Sequence, residues 1–420
     1  MSAETESTGA AATDRRRSGP ACPRCARRGF LLSNLAGRIE RSVGERAGAR
    51  ARDLLALDDE RLAAAIAPAD WRRRLREAGA AARAAAAGPP GDRRPGEEAE
   101  RRRAGAPRAA EAGRGGGGWS ICAHSPLPAA LDVLDASRPH ALFGRGDREL
   151  LAAIEPKRAV TIVGARRAGP YGREVAFELG RALAGAGIVV VSGLALGIDA
   201  AAHEGALAGG GATLAVLGPG AERAYPRSAG GLYRRVLDSG AAISELPGAP
   251  PTFRWMFPSR NRLMAALSGL TVVVEAAERS GSLITAEMAG DCGRIVGAVP
   301  GPVSSWRSSG TNGLLADGAA VIRDARDALD ALLGPGADPA PITGPQLGVE
   351  GAATLDAVET GAATPDAVAV AAGLELGSAL RALATLERHG YLTCDHGGRW
   401  TRTMLQAPAP SAPSAGCGSR

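Results

Sequence analysis

Residues 159–205 read AVTIVGARRAGPYGREVAFELGRALAGAGIVVVSGLALGIDAAAHEG. An apolar run, Ala159 to Val163, ends in Gly164-Ala165-Arg166-Arg167. Val175, Leu179 and Leu183 then recur at helical spacing. A second apolar run, Ile188 to Val191, ends in Ser192-Gly193 and leads through Gly197 into Ile198-Asp199. The order is strand, loop, helix, strand, glycine loop, helix, which is a βαβ unit. In open parallel sheets, ligands bind at the carboxyl ends of the strands, where loops and helix N-termini converge.

Outward from this unit the pattern repeats. Apolar runs centre near residues 161, 189, 214, 243, 272, 296 and 321. Helical segments fall between them at 172–186, 198–208, 229–239, 260–268 and 282–291, with another at 324–333. Such alternation predicts an α/β fold with a Rossmann-like, doubly wound, mostly parallel sheet over residues 119–333. Ahead of it, residues 21–85 carry helical periodicity and predict an N-terminal helical segment, with Asp58-Asp59-Glu60 as a helix start. Residues 86–118 are rich in Gly, Pro and Arg and read as a flexible linker, and residues 334–352 as a second one. In residues 353–404, helices at 366–372 and 376–389 precede a hairpin, which suggests a small winged-helix-like domain. Residues 1–20 and 405–420 read as disordered.

The loops at the sheet edge carry the chemistry. A dinucleotide fingerprint would need glycine at position 166, but Arg166 stands there, and NAD or FAD is disfavoured. Lys157, the sole lysine, precedes the first strand, so no Walker sequence exists and no cofactor is expected. Arg166 offers a cation beside Gly164; a surface arginine in a tight turn is the plainer alternative. Ser192, Gly193, Gly197 and Asp199 suit a backbone nest aimed at an anion, with helix capping by Asp199 as the alternative. In Phe257-Pro258-Ser259-Arg260-Asn261-Arg262 two cations stand at an expected helix start, where the dipole disfavours them. A phosphate partner explains Arg260, Asn261 and Arg262 better. Ser280, Gly281 and Ser282 open a further helix, and Thr311 and Asn312 sit in one more such loop. Several anion sites on one edge suit a groove that tracks the phosphates of a single strand. No catalytic residue is expected: a set of Ser192, His203 and Asp199 is conceivable, but the Gly-x-Ser-x-Gly elbow is absent.

The net charge is +6, but residues 1–118 alone hold 24 Arg against 16 Asp and Glu, so charge by itself does not argue for nucleic acid. No apolar run is long enough to span a membrane. No secretory apolar core opens the chain, and the six scattered cysteines fit a reducing, cytoplasmic setting. Cys22-Pro23-Arg24-Cys25 is a lone CxxC. With Cys122 and His124 it could supply four zinc ligands; free thiols are the alternative.

At these residues the chain resembles the DNA-processing protein A family, also called Smf. The motifs run in order over residues 122–333: Gly164-Ala165-Arg166; Ser192-Gly193 with Gly197-Ile198-Asp199; Leu217-Gly218 and Tyr225-Pro226; Phe257 to Arg262; Glu275 with Ser280-Gly281-Ser282; Val299-Pro300-Gly301; and Gly310-Thr311-Asn312. The resemblance implies an extended Rossmann-like fold that dimerises. It also implies binding of single-stranded DNA in natural transformation and loading of the recombinase RecA, without enzymatic activity. Arg227, after Tyr225-Pro226, stands where the family often has a basic residue. Ala165 and Gly169 replace family hydroxyl residues. The alternative is an enzyme, a nucleoside-monophosphate hydrolase of the lysine-decarboxylase-like Rossmann group, whose Gly-Gly-x-Gly core is absent from the stretch Glu275 to Glu287.

Overall fold

A computed structural model of the chain describes residues 20–44, 53–87, 118–124, 127–336, 347–389, 391–394 and 398–402. Strands β1 (Trp119–Cys122) and β2 (Ala141–Gly146) precede seven core strands. These are β3 (Ala159–Val163), β4 (Val189–Ser192), β5 (Thr213–Val216), β6 (Ala241–Ser244), β7 (Leu270–Val273), β8 (Ile295–Ala298) and β9 (Ala320–Val321). They form one sheet in the order β1-β2-β6-β5-β4-β3-β7-β8-β9. β3 to β9 are parallel to one another, while β2 is antiparallel to both β1 and β6. The seven expected strands are all present. β1 and β2 were not anticipated, because Ala141-Leu142-Phe143 runs into Gly144-Arg145-Gly146 and only a 3-10 helix, Ala129–Ser137, separates it from the preceding strand.

β3 is buried at every position, as a strand covered on both faces must be. Its residues divide by alternation. Val160 and Ile162 pack with Leu179, Leu183 and Ala202 from helices Pro170–Gly185 and Ile198–Ala208. Ala159 and Val163 pack on the other face with Leu263, Leu267 and Ala286 from helices Met256–Leu267 and Gly281–Asp291. The helix expected to follow Gly310-Thr311-Asn312 starts earlier, as Ser309–Ala316, so Thr311 and Asn312 lie in its first turn, not before it.

The N-terminal segment forms helices Pro23–Val43, Asp59–Ile66 and Trp71–Ala87. Asp58 caps the second through its side chain, which accepts from the Arg61 amide. Their apolar faces do not close on themselves. Leu31, Leu35, Ile39 and Leu62 pack in one cluster with Leu246, Trp255 and Met256 of the sheet domain. The indole of Trp255 donates to the Ala36 carbonyl at 3.0 Å, and its amide donates to Glu40 at 3.2 Å. Gly29 lies so close to the Glu245 carbonyl and the Phe143 ring that any Cβ there would meet both.

At the other end, helices Val349–Glu359, Pro365–Ala372 and Leu376–Arg388 share a core with Tyr391 and Leu392, followed by the antiparallel hairpin of β10 (Leu392–Cys394) and β11 (Trp400–Arg402). The helix from Val349 occupies part of the expected linker 334–352. The expected disordered stretches and most of linker 86–118 lie outside the described residues. Among the described residues no single helix is long and apolar enough to cross a membrane.

Candidate nucleic-acid interface

Because β3 to β9 run parallel, all their loops emerge on one edge. From β3 the chain steps through β4, β5 and β6 in one direction, then returns to place β7 on the other side of β3. The gap between β3 and β7 is therefore the topological switch point, where helices leave on opposite faces and a crevice opens. A cleft of about 220 Å³ lies there, lined by Gly164 and Arg166 after β3, Ser280, Gly281 and Ser282 after β7, and Asp199, Phe257, Arg260 and Asn261. Its volume falls below the roughly 300 Å³ at which ligand-enclosing pockets begin, so it suits a phosphate at its mouth better than a whole nucleotide.

Arg166 is exposed, with its guanidinium 4.9 Å from the centroid of the Phe257 ring. Phe257 in turn packs at 5.4 Å against Tyr225. Among the described residues this cation forms no direct ion pair, although its charge is felt at the Asp199 carboxyl. Opposite, Ser280 caps helix Gly281–Asp291 and its hydroxyl lies 2.7 Å from that of Ser282. A helix N-terminus beside an unpaired guanidinium has the charge and the donors to hold an anion.

The β4 loop corrects the expectation of an open nest. Leu194 and Gly197 both have positive φ, and the loop does wrap an anion, but that anion is the chain's own Asp199. Its buried carboxylate accepts from the amides of Gly193 (3.1 Å) and Ala195 (3.4 Å) and lies 3.8 Å from Arg260. Burial pushes the Asp199 carboxyl up, while Arg260 and the two amides pull it down. Arg260 is buried too. It donates to the carbonyls of Gly193 (2.8 Å) and Val216 and to the Asn261 side chain (2.8 Å), and burial pushes it down to about 10. Gly193 is required because a Cβ there would collide with the Arg260 guanidinium. Arg260 thus ties the ends of β4 and β5 together as the cleft floor.

Four further expected contacts are engaged internally. Arg262 is 2% exposed and donates to Ser137 (3.1 Å), to Ser259 (2.7 Å) and to Glu245 (2.7 Å). The expectation that its guanidinium faces a phosphate is corrected. Helix Met256–Leu267 starts earlier than its motif suggested, so Arg260 and Arg262 lie beyond the first turn, where the helix dipole has little effect. Ser192 is buried and donates to Ile162 at 2.7 Å. Thr311 donates to Ser308 at 3.1 Å, and Asn312 bonds both backbone groups of Gly301. Arg227 is exposed in a short turn after β5, outside the cleft lining.

Two residues escaped the sequence reading. Trp306 is 66% exposed, and the Arg307 guanidinium stacks 4.9 Å from its ring centroid. They follow β8 on the same edge and adjoin a second depression of about 570 Å³ that Arg307, Tyr171 and Glu275 line. The available signal was a tryptophan beside an arginine in a chain with only five tryptophans.

The conceivable Ser192–His203–Asp199 set is not assembled. Ser192 donates to a carbonyl, Asp199 accepts from amides, and the His203 Nδ1 lies 2.7 Å from Thr213 Oγ1. Burial, reinforced by Arg260, pushes His203 down to about 3. A histidine whose folded value lies below its unfolded value near 6.5 contributes stability that is fully present above that value and lost as pH falls towards the folded one. Asp199, raised by burial, works in the opposite sense. Urea unfolding at pH 7.5 and 5 should therefore show a loss that His203→Gln reduces by about 2 kcal/mol. Equal pH slopes in both proteins would reject this assignment.

A Rossmann-like sheet with a cationic, glycine-built crevice at its switch point defines an α/β protein with a candidate anion site. The family model for DNA recombination-mediator protein A matches residues 120–333. A relative from Mycobacterium tuberculosis is 39% identical over 305 residues, covering 71% of this chain and 74% of its own length. The DNA processing protein DprA of Bacillus subtilis is 37% identical over 194 residues, covering 46% of this chain and 64% of its own. The X-ray structure of DNA processing protein A from Streptococcus pneumoniae aligns with a TM-score of 0.50 at 26% identity, over 72% of this chain and 92% of that one. The chain belongs to the DNA recombination-mediator protein A family, DprA/Smf.

Proposed function

We propose that this protein binds single-stranded DNA along the carboxyl edge of its sheet and hands it to a RecA-type recombinase during transformation, acting as a non-enzymatic, cytoplasmic homodimer. The observation that carries the DNA reading is the unpaired Arg166 guanidinium on Phe257, opposite the N-terminus of helix Gly281–Asp291. Trp306 with Arg307 extends the edge by an exposed aromatic face, and sequence-tolerant strand binding combines such faces with cations. RecA delivery, dimerisation and location rest on family membership.

A titration with labelled poly-dT and with duplex, each at two salt concentrations, tests the DNA reading. Tighter binding of the single strand, weakening with salt, supports it. Equal affinity for both would count against it, and release of base from nucleoside monophosphates would favour the hydrolase instead. Acceleration of RecA filament growth on a single strand tests delivery. Trp306→Ala is expected to weaken poly-dT binding by ~1–3 kcal/mol, one stacked base, without altering the melting temperature.

A further inference from the structure

Cys22, Cys25, Cys122 and His124 come from segments a hundred residues apart, yet their candidate ligand atoms all lie within 4.8 Å of one another. Cys22 is the N-cap of helix Pro23–Val43 and Cys25 lies in its first turn, so the CxxC spacing places both thiols at one helix end. Cys122 is the last residue of β1, and His124 follows two residues on. We propose that these four residues bind a structural zinc ion that clips the N-terminal helices to the outer strand of the sheet.

The separations from His124 match the ion. Zn–S bonds of about 2.3 Å and Zn–N bonds of about 2.0 Å give tetrahedral edges of roughly 3.5–3.8 Å. The Sγ atoms of Cys22 and Cys25 lie 3.4 and 3.3 Å from His124 Nδ1. Three sulfurs and one imidazole in a closed set of four is a structural zinc complement, and soft sulfur excludes magnesium or calcium as the preferred ion. Outer support is present as well. The Cys22 amide donates to Cys122 Sγ at 3.4 Å, a bond that stabilises a thiolate, and the Ala21 amide fixes the approach by donating to Ser120 at 2.9 Å. Cys25 and Cys122 are buried while His124 is exposed, so an ion has an entry path from the histidine side. None of the three sulfurs is in a disulfide.

The test uses the full chain, purified without chelator under mild reductant. Metal analysis should find about one zinc per chain, and Cys22→Ser/Cys25→Ser should hold less than roughly a tenth of that. Because that variant removes part of a packed helix end, two further measurements stand independently of it. Apo wild type titrated with cobalt(II) should develop tetrahedral d–d bands and a sulfur-to-cobalt charge-transfer band that saturate at about one equivalent. His124→Ala, an exposed change, should keep the far-ultraviolet dichroism and weaken cobalt uptake at least about tenfold. Absence of zinc together with absence of cobalt uptake in folded wild type overturns the proposal. So does a disulfide between two of these cysteines in the freshly purified protein.

Discussion

Arg262→Ala is expected to lower the melting temperature by roughly 6–20 °C. Removing one partner of a buried ion pair costs about 3–5 kcal/mol, because the other charge stays behind without compensation. Each kcal/mol moves the midpoint of a domain this size by about 2–4 °C. Arg262 holds Glu245 at 2.7 Å and also satisfies the carbonyls of Ser137 and Ser259, so three acceptors lose their donor together. A lysine supplies the charge but not the planar fork, and Arg262→Lys should recover less than half of the loss. The double change Arg262→Met with Glu245→Gln should recover more, since no unpaired charge remains. Calorimetry on the four proteins decides it. A midpoint shift below about 2 °C for Arg262→Ala would mean that this arginine is free to serve a ligand.

Arg166→Ala is expected to weaken poly-dT binding by about ten- to a hundredfold at low salt while leaving the melting temperature in place. A charge-assisted hydrogen bond contributes ~1.5–3 kcal/mol, and the exposed guanidinium does no structural work beyond its stack on Phe257. Loss of one phosphate contact should also reduce the slope of log affinity against log salt by about 0.7. Arg166→Lys keeps the charge but gives up both the ring stack and the bidentate fork, and should restore only part of the affinity. Unchanged binding in Arg166→Ala, with the protein folded, would sink the cleft as the DNA site. The contrast with Arg262 matters for interpretation. Weak binding by an Arg260 or Arg262 variant reports a damaged floor rather than a lost contact.

Much of the architecture was legible because buried parallel strands must be continuous apolar runs. Thr271-Val272-Val273 and Val189-Val190-Val191 read as strands without a structure, and both are buried strands here. β1 and β2 were not legible because they are antiparallel and stand outside the strand–helix alternation of the core, and the glycines of β2 mask its pattern. The candidate site was legible as a set of loops but not as a set of exposures. Arg166 and Arg262 look alike in sequence. What separates them is that Glu245, seventeen residues upstream and at the end of β6, neutralises one of the two. A similar blindness applied to the β4 loop. Glycine positions announce a nest, but which anion fills it depends on whether Asp199 turns inward, and that is decided by Arg260 from a separate helix.

The shared core beneath Trp255 has a practical consequence. The family model begins at residue 120, but the apolar surface of Leu246, Trp255 and Met256 is covered by helices from residues 23–66. The stretch matched by that model is therefore smaller than the unit that folds. A fragment trimmed to the matched residues would leave an indole, a leucine and a methionine facing water and would unpair the Trp255 indole from Ala36. Such a fragment should aggregate, however intact its cleft, and the N-terminal helices belong in any minimal version of this protein as part of its interior.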